Sequence, residues 1–193
     1  MVMDSRLWYT VLVALIAAER LFELRLSAKN AAWAFTQGGV ERGAGHYPAM
    51  AALHTAGLVA APAEVWLLER AFSPVVAAAC GLVLVGTMGL RYWAVSTLGP
   101  RWNTRVIVVP GLGPVTGGPY RYLRHPNYLA VILELAALPL LHGAWITALL
   151  SSVLNAWLLR VRIGVEEEAL REFCNYDAQM GSKRRLLPGG EGP

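Results

Sequence analysis

The stretch Gly117-Gly118-Pro119-Tyr120-Arg121-Tyr122-Leu123-Arg124-His125-Pro126-Asn127-Tyr128 packs two cations, a histidine and three tyrosines into twelve residues. An apolar run, Leu129 to Leu141, follows at once. It turns at His142-Gly143, returns through Ala144 to Leu159, and ends in Arg160, Arg162, Glu166, Glu167 and Glu168. Aromatic faces and hydrogen-bonding side chains at the mouth of an apolar hairpin suit a charged cofactor held beside a lipophilic substrate. Arg162 and Glu166 are four apart, on one helix face. A guanidinium there holds an anionic oxygen and a carboxylate a cationic group, provided this face meets the His125 loop across the hairpin. The same spacing equally describes a surface ion pair closing a membrane helix. Likewise Pro126 suits a first helical position, and Asn127 and Tyr128 a membrane interface. That plainer reading leaves the upstream polar groups and glycines unexplained, whereas glycines let a backbone approach a ligand closely. No G-x-G-x-x-G follows a strand here, which removes a Rossmann reading.

The elements that must position these residues are legible in bulk composition. The chain has 193 residues, 55% hydrophobic and only 16% charged; soluble domains run near a quarter charged. Its mean hydropathy is +0.43, and the apolar residues come in blocks. Together these predict one all-α integral membrane domain of about five transmembrane helices. The spans fall at about 7–26, 47–68, 72–95, 128–141 and 144–163. The fourth is short and contains Pro139, so it tilts or ends early. Residues 1–96 form a three-helix part, 97–127 a cofactor-binding loop, and 128–176 a catalytic hairpin and tail. Within the loop, Val106 to Val109 between Gly/Pro clusters reads as extended chain or turn. The first apolar stretch is followed at once by Glu19, Arg20, Glu23 and Arg25, which favours a retained span over a cleaved leader.

Net charge is +4. Loop basic residues gather in 27–46, 97–127 and the tail, and the opposite side shows little beyond Arg6 and Arg70. The positive-inside rule then puts the N-terminus outside, and the C-terminus and loop in the cytoplasm, of a bacterial inner membrane. The same charge faces membrane lipid rather than nucleic acid, because no basic run with interleaved aromatics lies outside the spans. Cys80 and Cys174 lie too far apart in pattern to pair, and no metal motif is present.

Ionisable residues in the first two spans default to function. That reading turns Glu23, His46 and His54 toward the substrate; mutual pairing, such as Glu23 with a histidine or Arg20, accounts for them as well. Glu19, Arg20 and Glu64 take no assigned role.

Taken in order, Gly118-Pro119-Tyr120-Arg121, Arg124-His125-Pro126-Asn127-Tyr128, an apolar hairpin, and Arg162-x-x-x-Glu166-Glu167 resemble the isoprenylcysteine carboxyl methyltransferase family over about 97–176. The resemblance implies an integral membrane methyltransferase that uses S-adenosylmethionine. It implies that Leu112, Gly113, Pro114, Val115, Tyr120, His125, Pro126, Asn127 and Tyr128 line the cofactor pocket, that Glu166 reaches it from the last helix, and that Arg162 faces the acceptor. Phe173 and Tyr176 follow the acidic run at tighter spacing than is usual there. In the first half, Glu19-Arg20-Leu21, Ser27-x-x-Asn30, Gly38-Gly39-x-Glu41 and His46-Tyr47 look like a bacterial branch associated with O-methylation of alkylpyrones and alkylresorcinols. The expected acceptor is therefore an enol, phenol or carboxylate oxygen of a lipophilic small molecule. Carboxyl methylation of a prenylated cysteine and methylation of a lipid amine are the enzymatic alternatives. A transporter or assembly subunit is the other class; a transporter would show midplane polar residues and internal repeats, and the sequence suggests neither.

Overall fold

Asp4 caps the first helix by accepting the Arg6 amide at 3.0 Å, and from there the chain is almost wholly helical. The structure, a computed structural model, describes residues 4–186. Helix α1 runs Ser5–Thr36, α2 Tyr47–Leu67, α3 Pro74–Leu98, α4 Pro126–Leu140, α5 Trp145–Cys174 and α6 Tyr176–Met180. Prolines open α2, α3 and α4, where a missing N–H costs nothing. Strands β1 (Val40–Arg42) and β2 (Val106–Val108) pair antiparallel, Val40 opposite Val108 and Arg42 opposite Val106. The loop's β-branched run is thus extended as expected, against a partner strand that the sequence reading had not picked out.

Two helices outrun their expected spans. α1 continues ten residues past Leu26, because no glycine or proline interrupts the chain before Gly38. α5 continues to Cys174, so the acidic run lies on the helix. Among the described residues three helical stretches are long and apolar enough to cross a membrane: Ala44–Leu67, Pro74–Arg101 and Trp145–Cys174. α1 is longer but carries Glu19, Arg20, Glu23 and Arg25 in its middle. α4 has 15 residues, about 22 Å, against roughly 30 Å of hydrocarbon.

The polarity of the bundle is inverted relative to a soluble protein. Val75, Leu82, Val85 and Leu67 are 74–80% exposed. Glu23, Ser27, Asn30, Arg91, Asn155, Arg162 and Glu167 are buried. Apolar surface outward and polar groups inward is what hydrocarbon demands. The chain is a membrane protein.

Charged residues also meet inside the bundle. Arg20 reaches Glu23 at 2.5 Å, and Arg91 reaches Glu134 at 2.6 Å. Glu23 therefore sits in an ion cluster joining α1, α3 and α4, as the pairing alternative had it.

α4 lies between α3 and α5, and α2 packs on α5. One end of the bundle is closed by a polar cap. Glu64 of α2 accepts from the Thr147 amide (2.7 Å), the Thr147 hydroxyl (2.8 Å) and the Ile146 amide (3.2 Å), and pairs with Arg70 at 2.8 Å. A carboxylate supplied by a neighbouring helix thus caps α5. His142 accepts or donates to Ser5 at 3.1 Å beside Trp8, Tyr9 and Phe72. The strand pair, the 97–127 loop and the tail lie at the opposite end.

Glu64→Ala removes a buried cap remote from that opposite end. The variant loses about 2–3 kcal/mol, read as a lower thermal midpoint in detergent; an unchanged midpoint would show that α5 needs no cap from α2.

Candidate functional site

The loop is pinned before it can roof anything. Asn30 of α1 donates to the Trp102 carbonyl at 2.8 Å, and the Ser27 hydroxyl to Asn103 Oδ1 at 2.9 Å. The β1–β2 pair fixes the next residues, Gly111 N–H donates to the Phe173 carbonyl at 3.1 Å, and Arg101 donates to the Gly113 carbonyl at 2.7 Å. Gly118 takes φ +53°, and a Cβ there would press on the Thr97 side chain. Only glycine lets the chain turn against the end of α3 at this point.

Beneath the loop lies a cleft whose empty space, mouth included, is about 1020 Å³. Leu112, Gly113, Pro114, Val115, Tyr120, His125, Asn127, Tyr128, Arg162 and Glu166 all line it. Pro126 is fully buried as the first residue of α4 and shapes the wall without lining it. Glu23, His46 and His54 do not line this cleft. His46 ends the turn before α2, and His54 faces a second, smaller pocket.

The hairpin face and the His125 loop meet. Arg162 is 5% exposed, and its Nε donates to the Tyr128 hydroxyl at 2.7 Å. Tyr128 in turn donates to Glu166 Oε2. The pair four apart is therefore bridged by a tyrosine from the facing helix, and is not a surface ion pair. Arg162 also lies over the Tyr128 ring, 5.5 Å from its centroid. Its remaining partner among the described residues is the Met50 sulfur, 3.8 Å from Nη1. A thioether is a weak acceptor, so a buried guanidinium keeps its Nη edge nearly unspent. Asn127 Oδ1 and Trp102 Nε1, both on the cleft wall, are likewise buried without partners.

Glu167, which sequence reasoning had not placed in the site, organises the surrounding chain. Its side chain has no exposure and meets Arg185 (2.7 Å), His125 Nε2 (3.1 Å), Arg171 (3.2 Å) and Arg124 (3.6 Å). Arg124 donates to the Lys183 carbonyl at 2.6 Å, and the amides of Arg124 and His125 donate to the carbonyls of Arg184 and Arg185. The tail thus runs as a short parallel strap beside residues 123–125. Tyr176, 2% exposed, packs with Tyr120 and Met180. Burial pushes both tyrosine hydroxyls well above their ordinary range, so both stay neutral. Burial likewise lowers Lys183, which donates to the Tyr120 carbonyl at 2.8 Å. The signal for Glu167 was its place in a Glu166-Glu167-Glu168 run, from which spacing alone selects no one residue. Among the described residues no group of three or more His, Cys, Asp or Glu could hold a metal ion, and both cysteines are free.

The sequence model of the isoprenylcysteine carboxyl methyltransferase (ICMT) family matches residues 79–172, which include the loop, α4 and nearly all of α5. An uncharacterized protein of Bacillus subtilis (strain 168), YpbQ, is 38% identical over 165 residues, 86% of this chain and 98% of the relative. An uncharacterized protein of Haemophilus influenzae (strain ATCC 51907 / DSM 11121 / KW20 / Rd) is 26% identical over 166 residues, 85% of this chain and 95% of that one.

Glu167→Ala removes the anchor of the strap. Trypsin then cuts at Lys183, Arg184 and Arg185 under native conditions that spare the parent, as mass spectrometry of the C-terminal fragments reads. Equal protection in both would mean that the tail is held elsewhere.

Proposed function

The chain belongs to the isoprenylcysteine carboxyl methyltransferase family, and from that premise we propose that it methylates an oxygen of a lipophilic small molecule at the membrane, with S-adenosylmethionine as donor. The acceptor is an enol, phenol or carboxylate, in the mould of a long-chain alkylpyrone. The supporting observation is Arg162: a buried cation, oriented by Tyr128 and Glu166, with donors left over. Such a group stabilises an oxyanion by charge-assisted hydrogen bonds and lowers the cost of deprotonating it. An acidic hydroxyl then needs no strong general base.

The unpaired Asn127 and Trp102 atoms and the aromatic and acidic wall of the cleft suit a zwitterionic sulfonium nucleoside. That cofactor supplies a methyl carbon already activated on sulfur: the acceptor's lone pair forms the O–C bond, and the C–S pair stays on sulfur, leaving a neutral thioether. The chain's own part is to align the reactants and exclude water. Tyr120 and Tyr128 present aromatic faces, worth about 0.5–2 kcal/mol to a cation. Glu166 spends Oε2 on Tyr128, and its other oxygen has no partner among the described residues, so it is free to pair with an ammonium. His125 gives Nε2 to Glu167. In a neutral ring its Nδ1 is then an acceptor, which suits the ammonium rather than the carboxylate. Arg101 on the wall serves the carboxylate.

A lipid amine fits less well, because its ammonium would face the Arg162 cation. A prenylcysteine carboxylate makes the same contact with Arg162 as an enolate does. The basic loops gathered at the cleft end support a cytoplasmic cofactor entrance and an outside N-terminus, and the acceptor enters between helices from the bilayer.

Arg162→Ala and Glu166→Ala lower turnover at least about 100-fold, with helical circular dichroism unchanged. Calorimetric binding of S-adenosylhomocysteine survives in the Arg162 variant and fails in the Glu166 variant. Arg162→Lys does not rescue, because a point charge cannot both hold Tyr128 and fork onto an oxyanion. A labelled-methyl assay over prenylcysteine, alkylpyrone and phospholipid acceptors reads all of these; parent rates in both alanine variants would refute the mechanism.

A further inference from the structure

Most cations of the cleft end fall into two sets. Arg42, Arg105, Arg124, Arg171 and Arg185 each lie within 3.6 Å of a carboxylate oxygen. Arg25, Lys29, Arg121, Arg160 and Arg184 are exposed, and none has a carboxylate or a hydrogen-bond acceptor among the described residues.

The unpaired set shares a level. α1, α3 and α5 all start at the Glu64 end: Ser5 bonds His142, Phe72 packs on the same ring, and Trp145 lies against Arg70. At about 1.5 Å per residue, Arg160 stands about 22 Å along α5, Trp93 about 28 Å along α3 and Arg25 about 30 Å along α1. A hydrocarbon core of roughly 30 Å ends there. An arginine stem rooted slightly inside that edge carries its head out to it.

The cofactor loop reaches this edge at its own turn. A Cβ on Gly118 would lie 3.1 Å from Trp93 Nε1, so the short helical turn Gly118–Arg121 begins at the level of Trp93. The segment has two faces. Tyr120 and Leu123 are buried, and Tyr120 lines the cleft. Arg121 and Tyr122 are exposed, next to the half-exposed rings of Tyr92 and Trp93 on α3. Arg184 stands beside Leu123 on the tail strap. Loop and tail thus each bring one unmatched guanidinium to the same rim.

The surroundings select the partner. Aromatic rings beside cations at the hydrocarbon edge are the interfacial pattern. An acidic protein or a nucleic acid would approach from water, where the cations of the strand pair and of the end of α5 are already matched by carboxylates. An anion fixed at the bilayer surface meets the unmatched set instead. We propose that Arg121 and Arg184 hold the headgroup phosphate of an anionic phospholipid, with Tyr122 and Trp93 against its glycerol. A zwitterionic headgroup serves less well, because its ammonium faces the same cations. The lipid fastens loop to tail from the membrane side, as Glu167 does from within. Tyr120 adjoins Arg121 and faces the cleft, so docking steadies the cofactor wall, and by linkage lipid and cofactor strengthen each other's binding. That coupling rests on the methyl-transfer reading above; the docking does not.

The test places the full-length protein in nanodiscs of phosphatidylcholine alone, or of phosphatidylcholine and phosphatidylglycerol in equal parts, and measures S-adenosylhomocysteine binding by calorimetry. The parent binds about fivefold more tightly in the anionic discs. Arg121→Gln and Arg184→Gln each lose that gain. Arg121→Lys keeps it, and so does Arg160→Gln, which removes a cation of the same level away from the loop. Native mass spectrometry finds phosphatidylglycerol retained by the parent and released from the Arg121→Gln variant. Equal retention by the two proteins, or equal affinity of the parent in the two discs, overturns the inference and leaves the methyl-transfer reading intact. Inorganic phosphate that restores the gain in phosphatidylcholine discs overturns it too, since the site then takes a free anion. Absence of S-adenosylhomocysteine binding in every disc overturns the methyl-transfer reading, and lipid retention then decides the docking by itself.

Discussion

A carboxylate with no access to solvent holds its charge only where cations and donors surround it. Glu167 is such a group, and its partners come from three separated parts of the chain: Arg124 and His125 in the loop, Arg171 on its own helix, and Arg185 in the tail. Satisfying one buried charge therefore draws the loop and the tail onto the end of α5. The cleft is the space that this closure encloses. Tyr128 makes the corresponding junction one turn away, tying α4 to Arg162 and Glu166. Two polar knots, stacked through the His125 and Tyr128 rings 5.2 Å apart, join these elements beside the apolar packing of Tyr120, Tyr176 and Met180 and of Val106, Val108 and Cys174.

The same physics sets the opposite end apart. There Glu64 caps α5, and His142 sits among aromatic rings, which closes that end of the bundle. The two ends spend their polar groups differently: at the Glu64 end each oxygen of the carboxylate is used and His142 Nδ1 alone is left among the aromatic rings, whereas at the cleft the Arg162 Nη edge, Asn127 Oδ1 and Trp102 Nε1 are left over on the cleft wall. Unspent donors and acceptors on a buried wall are costly unless a ligand completes them.

The helices were legible in the sequence because periodicity and prolines are local signals, and the dense Gly117–Tyr128 segment marked part of the cleft wall; Leu112 to Val115 came only from the family resemblance. Arg162 and Glu166 were visible as a pair, but their junction through Tyr128 was not, since it depends on the register between two helices. Glu167 was hidden among its acidic neighbours, and only rotation about the α5 axis distinguishes it from Glu168, which is exposed. Strand β1 was missed because three residues carry too little pattern to declare themselves without the partner at Val106–Val108. Ser27 and Asn30 stood in the sequence as a spacing without a task; their targets, Asn103 and Trp102, lie more than seventy residues on. Glu23 looked like a ligand-facing charge because sequence shows an ionisable residue in a span but not the arginine from α3 that meets it.

The position of the site follows from a mismatch of lengths. α4 and α5 leave a common turn at 141–144 and run antiparallel, yet α4 has 15 residues and α5 has 30. α5 therefore overshoots its partner by about 22 Å. Tyr128 stands in the first turn of α4 opposite Arg162, the level at which α4 ends. Beyond that level the flank of α5 carrying Glu166, Glu167 and Leu170 no longer has α4 beside it. It is covered instead by loop, strand pair and tail, elements that bend around a small molecule where a straight helix would fill the space. A longer fourth helix would bury the same face against side chains; a shorter fifth would remove Glu166 and Glu167 altogether. Helix inequality, set by Pro126 at one end and the Gly143 turn at the other, is what places a polar chamber against an oily one.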